Sequence, residues 1–459
     1  MSTSTNPRSL PAVEKVLKAL GEQPIPRPLV TELVRHAIQD KREAQTGVTD
    51  LDAFVATIQA EIDRLDRTRI QSVINGTGVL IHTNLGRSPL NEEAIERLRD
   101  IAINYNNLEI DLDSGARGKR GRYFEQLLAL LVEAEAATVV NNCASALILI
   151  LRLFTANSSK KEVLISRGEL VEIGGGFRVP EIMEASGATL REVGATNKTS
   201  LEDYERAIGP NTAMLLKVHR SNFWMEGFVE SPSTEELAEL AHKHDLPFVE
   251  DLGSGAMVDT EQLAQLDHEP RAHEILAKGV DLVCFSGDKI FGGPQAGMIA
   301  GRADLIQGLK KEPFFRALRC DKLILSLLES TAQIYLEARA ANKVASLPLL
   351  DMLQLSTDTL KERAEAIGNQ LGDLPLAWSI GEGVAQVGGG TMPKSAIPSV
   401  TLDLKPEKLK APVFAKRLRL QPLPVMGYIA EDLFRLDLRT IFPRQDAQVV
   451  AAIAMAFAL

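Results

Sequence analysis

Cysteine is scarce in this 459-residue sequence, which contains only Cys143, Cys284 and Cys320. The number is odd and no Cys-x-x-Cys spacing occurs, so neither a disulfide framework nor a zinc site is predicted. Long apolar runs are also lacking: no stretch of about 18 apolar residues is present, which argues against a membrane span. The opening residues MSTSTNPRSLP contain no apolar segment of the kind found in signal peptides. We therefore expect a cytoplasmic protein.

A positive net charge is absent as well. The chain has 51 Lys and Arg against 61 Asp and Glu, a formal net charge of −10, and residues 1–70 contain ten of each sign. This balance does not indicate a nucleic-acid-binding protein, although a local basic face would be sufficient for one. No Gly-x-Gly-x-x-Gly follows the first predicted strands, which argues against a nicotinamide dinucleotide site.

What the sequence does contain divides into three segments. Residues 1–70 have apolar side chains at helical spacing and predict a helical module. Residues 71–320 alternate short apolar strands with amphipathic helices, which predicts an α/β domain with a doubly wound, mainly parallel sheet. Residues 321–459 predict a long linking helix followed by a smaller α+β lobe. In a doubly wound sheet, ligands bind at the carboxyl ends of the strands.

Lys289 lies in the stretch VDLVCFSGDKIFGGPQAG, residues 280–297. The apolar run predicts a strand buried on both faces, and Ser286 at its end leads through small residues to the lysine. Partial burial would favour the neutral amine, which is nucleophilic toward an aldehyde. The glycines that follow would let a flat cofactor approach the backbone. The ordinary alternative is an exposed lysine at a strand–loop junction.

Three further strand ends carry polar groups. The turn formed by Asn142, Cys143, Ala144 and Ser145 precedes a helix, and its free N–H groups suit a phosphate, although it could be a simple N-cap. Asp251 in EDLGSG could hold a ring nitrogen protonated, or could cap a turn.

His219 in KVHRSN also ends a strand, and it could touch a cofactor ring or have a structural role. Together, these features resemble the layout of fold-type I pyridoxal-phosphate enzymes. That resemblance implies pyridoxal 5′-phosphate on Lys289, with Asp251 as the partner of its ring nitrogen.

Several arginines are candidates for binding an oxyanion, because a guanidinium group can bind carboxylate or phosphate oxygens in pairs. Arg87 follows a glycine in HTNLGR, and Arg316 and Arg319 share one face of a predicted helix. Arg439 in LDLRT is a candidate for a substrate carboxyl group. Any one of them could instead be a solvated surface residue.

Long motifs carry a more specific resemblance. They are INGTGVLIHTNLGRSPL (74–90), GARGKRGR (115–122), NNCASA (141–146), RGELVEIGGGFRVPEIM (167–183), KVHRSNF (217–223), EDLGSG (250–255), SGDKIFGGPQAG (286–297), QVGGGTMP (386–393) and LDLRT (436–440). With these motifs the sequence closely resembles the bacterial selenocysteine synthase family, the L-seryl-tRNA(Sec) selenium transferases.

The resemblance implies a pyridoxal-phosphate enzyme that converts seryl-tRNA(Sec) to selenocysteinyl-tRNA(Sec). Water would be eliminated from the seryl group to leave an aminoacrylate, and selenium from selenophosphate would then be added. Lys289 corresponds to the cofactor lysine and Asp251 to the ring-nitrogen partner. Arg87, Arg316 and Arg319 correspond to the arginines near the selenium donor.

The resemblance also implies a tRNA-binding role for residues 1–70 and a large homo-oligomer, a decamer built as a pentamer of dimers. On residue patterns alone, a packing appendage is the favoured interpretation of the helical module. A related pyridoxal-phosphate lyase acting on a small amino acid or sugar-acid phosphate is the main alternative function. A non-catalytic tRNA-binding or scaffold protein is a third, and the presence of both Asp251 and Lys289 argues against it.

Overall fold

The structure is a computed structural model that describes residues 10–173, 176–264 and 266–458. Gly174 and Gly175 of the RGELVEIGGGFRVPEIM motif, and residues 1–9 of the predicted helical module, lie outside the described residues. The chain divides into two compact units, Met1–Ser72 and Val73–Leu459. None of the described helices is both long enough and apolar enough to cross a membrane.

The first unit is helical in its described part. Its helices are α1 (Val13–Leu20), α2 (Arg27–Glu43) and α3 (Leu51–Asp66). Asp50 begins α3 by accepting a hydrogen bond from Ala53 N at 3.0 Å, as an N-cap residue does. Val16, Val34 and Ile62 are fully buried in a core made of side chains from all three helices. This core is separate from those of the second unit.

The second unit begins with short strands and then alternates strands with helices. Up to residue 318 its elements are β1 (Ile74–Asn75), β2 (Val79–Ile81), α4 (Glu92–Ile103), α5 (Arg122–Leu131), β3 (Ala136–Val140), α6 (Cys143–Thr155), β4 (Glu162–Ser166), β5 (Glu172–Ile173), β6 (Phe177–Arg178), α7 (Val179–Ser186), β7 (Thr189–Val193), α8 (Leu201–Ala207), β8 (Thr212–Val218), α9 (Thr234–Lys243), β9 (Phe248–Gly253), α10 (Thr260–Ala264), α11 (Ala272–Ala277), β10 (Leu282–Ser286), β11 (Gly297–Gly301), α12 (Ala303–Lys311) and α13 (Pro313–Leu318).

Among the described residues, seven strands form one sheet in the order β3-β11-β10-β9-β8-β4-β7. The β10–β9, β9–β8, β8–β4 and β4–β7 pairs are parallel, which confirms the predicted α/β fold class. Strand β11 is antiparallel to both of its neighbours, β10 and β3. No strand is predicted here from the sequence, because the five residues of β11 include two glycines and no β-branched residue except Ile299.

The remainder of the chain begins with two helices, α14 (Lys322–Ala340) and α15 (Pro348–Gln354), whose buried side chains join an apolar core of the large sheet. The other elements form a smaller lobe with a mixed sheet: α16 (Thr357–Gln370), β12 (Leu376–Gly388), β13 (Ile397–Pro406), α17 (Ala411–Arg419), β14 (Val425–Met426), β15 (Tyr428–Ala430), β16 (Leu433–Asp437) and α18 (Asp446–Ala458). The described sheet has the order β15-β16-β13-β12-β2, so the early strand β2 completes a sheet built mostly from the end of the chain.

Alternating side chains of the large sheet enter two different apolar cores. Val249, Leu282 and Cys284 pack in the core that contains the inward face of α6. Phe248 and Val283 pack in the core on the opposite face. Because both faces are buried, these strands are continuous apolar runs in the sequence. Polar side chains that bind ligands are therefore expected at the carboxyl ends of the strands.

Candidate active site

Asp251 and Lys289 come from the neighbouring parallel strands β9 and β10. Asp251 lies in β9 with 9% of its surface exposed, and Lys289, just beyond the end of β10, is 6% exposed. A methyl group built at Gly253, where φ is +67°, would lie 3.7 Å from Lys289 Nζ. The lysine amine therefore comes close to the end of β9, at a position whose left-handed backbone favours glycine.

The start of helix α6 lies at the same edge of the sheet. Asn142 Oδ1 accepts a hydrogen bond from Ser145 N at 2.8 Å and caps the helix. Gly297, the first residue of β11, packs directly against this turn, because a Cβ there would lie 2.1 Å from Asn142 O. The first N–H groups of a helix have no partner within it, so the N–H groups of Cys143 and Ala144 are suited to binding an anion.

These groups share one cavity of about 290 Å³. Its lining consists of Arg87, Asn142, Cys143, Ala144, Asp251, Gly253, Ser286, Asp288, Lys289 and Gln295. The structure thus brings together most of the residues predicted for the cofactor, and Arg87 with them.

The pKa of the Asp251 carboxyl group is subject to opposing effects. Burial raises its pKa, while a hydrogen bond from the Cys143 thiol and the positive charge of Lys289 act in the opposite direction. Cys143 Sγ lies 3.4 Å from Asp251 Oδ1, and Gly253 N donates to the same oxygen at 3.1 Å. An additional positively charged donor, such as a protonated ring nitrogen, would favour the ionised carboxylate further.

Arg87 is held at the cavity by hydrogen bonds to two residues that were not predicted as site residues from the sequence. Its Nη1 donates to Asp288 Oδ2 at 2.5 Å and lies 3.4 Å from Gln295 Oε1. The neighbouring Ser88 Oγ donates to Lys289 O at 2.6 Å. Asp288 could have been found from its place beside the lysine. Gln295 had no local signal, because it reaches the cavity only when the loop between β10 and β11 folds back.

His219 and Ser145 were also predicted to bind the cofactor. Neither residue is part of the lining of this cavity. His219 N donates to Asp251 O at 2.8 Å, and its Nε2 lies 3.3 Å from Glu269 Oε1. The histidine side chain thus faces a buried carboxyl group that the sequence reading did not anticipate. Ser145 is 8% exposed and contributes the backbone N–H that Asn142 caps.

The other candidate arginines lie elsewhere in the described chain. Arg316 is exposed on α13, and Arg319 Nη1 lies 3.5 Å from Glu109 Oε1. Arg319 lines a second cavity of about 530 Å³, which also contains the cationic residues Lys119, Arg120, Lys310 and Lys311.

Arg439 is only 2% exposed, and its guanidinium group donates to backbone carbonyl groups. The acceptors are Met352 O at 2.8 Å, Leu353 O at 3.4 Å and Pro398 O at 2.6 Å. These bonds tie α15 to β13, and Arg439 is not part of the cavity lining around Lys289.

Comparison with known proteins identifies the family of this chain. The L-seryl-tRNA selenium transferase family matches residues 73–442, which include every residue of the Lys289 cavity. The chain belongs to this family.

Relatives that carry the name L-seryl-tRNA(Sec) selenium transferase are similar over nearly the whole chain. The protein of Geotalea daltonii is 42% identical over 459 residues, covering 97% of this chain and 98% of the relative. The protein of Aquifex aeolicus is 42% identical and covers 95% of each chain. Both alignments extend beyond the 370 residues, 73 to 442, that the family match spans.

Among solved structures, D-glucosaminate-6-phosphate ammonia-lyase has a similar fold. The TM-score is 0.59 at 20% sequence identity, with 86% of this chain and 97% of the lyase covered. At 20% identity, this similarity shows that the two proteins share a fold, and it does not show that they catalyse the same reaction.

Proposed function

We propose that pyridoxal phosphate, bound in the Lys289 cavity, serves the conversion of seryl-tRNA(Sec) to selenocysteinyl-tRNA(Sec) that this chain carries out as a member of its family. Membership of the L-seryl-tRNA selenium transferase family supports the reaction. The observation that carries the site assignment is the joint presence of a lysine amine, a buried carboxyl group and an open helix N-terminus in one cavity. These are the three groups that pyridoxal phosphate requires for its aldehyde, ring nitrogen and phosphate.

The residues present fit this cofactor. Lys289 would bind its aldehyde, Asp251 its ring nitrogen, and Asn142 with the N–H groups of Cys143 and Ala144 its phosphate. When bound, pyridoxal phosphate supplies an electron sink for the negative charge that develops at the α-carbon of an amino acid. Ser286 lines the same cavity and offers a hydroxyl group close to Lys289.

The chain itself supplies proton transfer and positioning. The Lys289 amine, at the floor of the cavity, is the group placed to remove the α-proton of the seryl moiety. Asp251 would hold the ring nitrogen in its protonated form, and the hydrogen bond from the Gly253 N–H fixes the orientation of its carboxyl group for this role.

Arg87 is our candidate for binding the phosphate part of selenophosphate within this cavity. Its guanidinium group is one-third exposed and oriented by Asp288, so part of its donor set remains available for an oxyanion. His219 would act indirectly, through its backbone bond to Asp251, and Arg439 would have a structural role in the smaller lobe.

Arg316 and Arg319 would serve the selenium donor only from a neighbouring subunit, since neither lines the Lys289 cavity of its own chain. A homo-oligomer is therefore a condition of this role, and we propose a decamer assembled as five dimers. Analytical ultracentrifugation of the full chain tests the assembly, and a purely monomeric protein would exclude this role for both arginines.

The helical unit is proposed to bind the tRNA. It has its own apolar core, and its equal numbers of acidic and basic residues mean that any tRNA contact must use a local basic face. A lyase for a small substrate would have no use for such a unit, and no feature of the cavity favours that alternative over the selenium transferase reaction.

The site assignment is tested by Lys289→Ala. The unsubstituted chain, incubated with pyridoxal phosphate and then treated with borohydride, should retain about one covalently bound cofactor per chain. Lys289→Ala should retain almost none and should lose selenium transfer by at least about a thousandfold, because the base and the cofactor anchor are both removed.

Lys361→Ala is the matched control, because Lys361 is an exposed lysine on α16. It should label and react as the unsubstituted chain does. Equal labelling of Lys289→Ala and the control would show that Lys289 is not the cofactor lysine.

A further inference from the structure

Two thiol groups and one carboxyl group lie close together at the Lys289 cavity, and two of these three residues line it. The sulfurs of Cys143 and Cys284 and a carboxylate oxygen of Asp251 all lie within 4.8 Å of one another. Cys143 Sγ is 3.4 Å from Asp251 Oδ1. We propose that, in the cofactor-free chain, these three residues bind a thiophilic divalent cation such as Zn²⁺ or Cd²⁺.

The fold brings these residues together although they are far apart in the sequence. Cys284 in β10 is the register partner of Asp251 in β9, so the two side chains project from the same face of the sheet. Helix α6 packs on that face, and Cys143 is its first residue. The cluster is therefore fixed by strand register and helix packing.

The spacing suits a tetrahedral cation. With bonds of about 2.3 Å to sulfur and about 2.1 Å to oxygen, two ligand atoms of such a site are separated by about 3.6 to 3.8 Å. The observed separation of 3.4 Å between Cys143 Sγ and Asp251 Oδ1 needs little adjustment. Thiolates select soft cations, and a set of two sulfurs and one oxygen leaves a fourth position for water.

The surroundings offset the charge of the bound state. Two thiolates and one carboxylate carry three negative charges against two on the cation, which leaves one negative charge near the cavity floor. The ammonium group of Lys289 and the positive end of the α6 dipole both lie beside it. Binding releases the two thiol protons to solvent. Cys143 is only partly buried and lines the cavity, so it provides the entry point for the cation.

The cation and the cofactor would compete for Asp251. Coordination to a cation withdraws negative charge from the carboxylate, so a bound cation would weaken the hold of Asp251 on the ring nitrogen of pyridoxal phosphate. The apo-chain would therefore be sensitive to thiophilic cations and the cofactor-loaded chain protected. This second statement rests on the proposed function, whereas cation binding by the apo-chain does not.

Titration calorimetry of the full-length apo-chain with CdCl₂ tests the site. We expect one Cd²⁺ per chain and release of about two protons, the latter read from the dependence of the heat on buffer ionisation. Cys143→Ser should weaken binding at least tenfold. Cys320→Ser is the matched control, since Cys320 is buried away from the cluster, and it should bind as the unsubstituted chain does.

Cys284→Ala, checked for folding by circular dichroism, provides a second variant and should also weaken binding tenfold or more. Cys143→Ser that binds Cd²⁺ as tightly as the unsubstituted chain would overturn the proposal, as would the absence of one-to-one binding. If Cd²⁺ binds but pyridoxal phosphate does not, the proposed function fails and the cation site stands. If the cofactor-loaded chain binds Cd²⁺ as tightly as the apo-chain, the competition for Asp251 is refuted.

Discussion

At the scale of single residues, Glu169 combines a carboxyl group with nearly complete burial. It follows β4 with 4% of its surface exposed, and its Oε2 accepts a hydrogen bond from Val218 N at 3.1 Å. Lys217 Nζ lies 3.9 Å from its Oε1. Burial raises the pKa of Glu169 to about 7, against the opposing effects of Lys217 and the Val218 N–H.

This pKa makes stability depend on pH. In the unfolded chain the carboxyl group titrates near its ordinary value of 4.5, so between pH 4.5 and 7 the folded chain keeps a proton that the unfolded chain has lost. The free energy of unfolding therefore falls as pH rises through this window, by about 3 kcal/mol at most. Glu169→Gln should remove this fall, which urea unfolding at pH 5 and pH 8 would measure.

Glu407→Gln is the control for that substitution, because Glu407 is exposed. Its stability should vary with pH as that of the unsubstituted chain does. A pH dependence in Glu169→Gln that equals that of the control would mean that the buried carboxyl group does not titrate in this window.

At the scale of elements, the contact between β11 and the start of α6 shapes the proposed phosphate site. A Cβ at Gly297 would lie 2.1 Å from Asn142 O, a backbone atom that cannot turn aside. Gly297→Ala should displace the first turn of α6 and destabilise the fold by about 1 to 3 kcal/mol. The affinity for pyridoxal phosphate should fall at least tenfold, as measured by cofactor absorbance during equilibrium dialysis.

Gly209→Ala tests whether this effect depends on position. A Cβ at Gly209 would meet no atom within 4 Å, so the same change should leave stability within about 0.5 kcal/mol and leave cofactor affinity unchanged. Equal cofactor affinities in the two variants would show that the packing of β11 does not set the geometry of the site.

At the scale of the whole molecule, the chain has two units with separate apolar cores. A chain of residues 73–459 should therefore fold and retain the cofactor absorbance of the full chain. Its affinity for selenocysteine tRNA should fall at least tenfold if the helical unit binds the tRNA. Filter binding at a fixed, stated salt concentration would measure this loss, because phosphate contacts weaken as salt rises.

The control for the truncation is a tRNA of different acceptor identity, which both chains should bind weakly. Undiminished affinity of residues 73–459 for selenocysteine tRNA would assign recognition to the second unit. Loss of cofactor absorbance on truncation would instead show that the second unit does not fold independently.

The sequence predicted the α/β fold class correctly because burial on both faces of a parallel sheet leaves a strong local pattern. Strands such as β4, β8 and β10 are short apolar runs between amphipathic helices. Strand β11 was not predicted, because a short segment with a glycine at each end has no such pattern.

Among the proposed site residues, Lys289 could be picked out because it follows an apolar strand and a few small residues. Asp251 could be picked out because it was predicted to end a buried strand that is followed by small residues. Arg439 shows the limit of that reasoning: a buried arginine bound to backbone carbonyl groups looks the same in sequence as one that binds a substrate. Arg319 has the same ambiguity, because its motif does not reveal that its side chain enters a different cavity.

By itself, the sequence determined the alternation of most strands and helices in the large domain, the family, and the residue types available for the proposed chemistry, because these depend on local patterns and long motifs. Only the tertiary structure decided which of those residues meet. Asp251 and Cys284 become neighbours through the register of β9 and β10, and Cys143 joins them because α6 packs on that face. Strand register and helix packing arise from contacts between distant parts of the chain, so no local pattern records them.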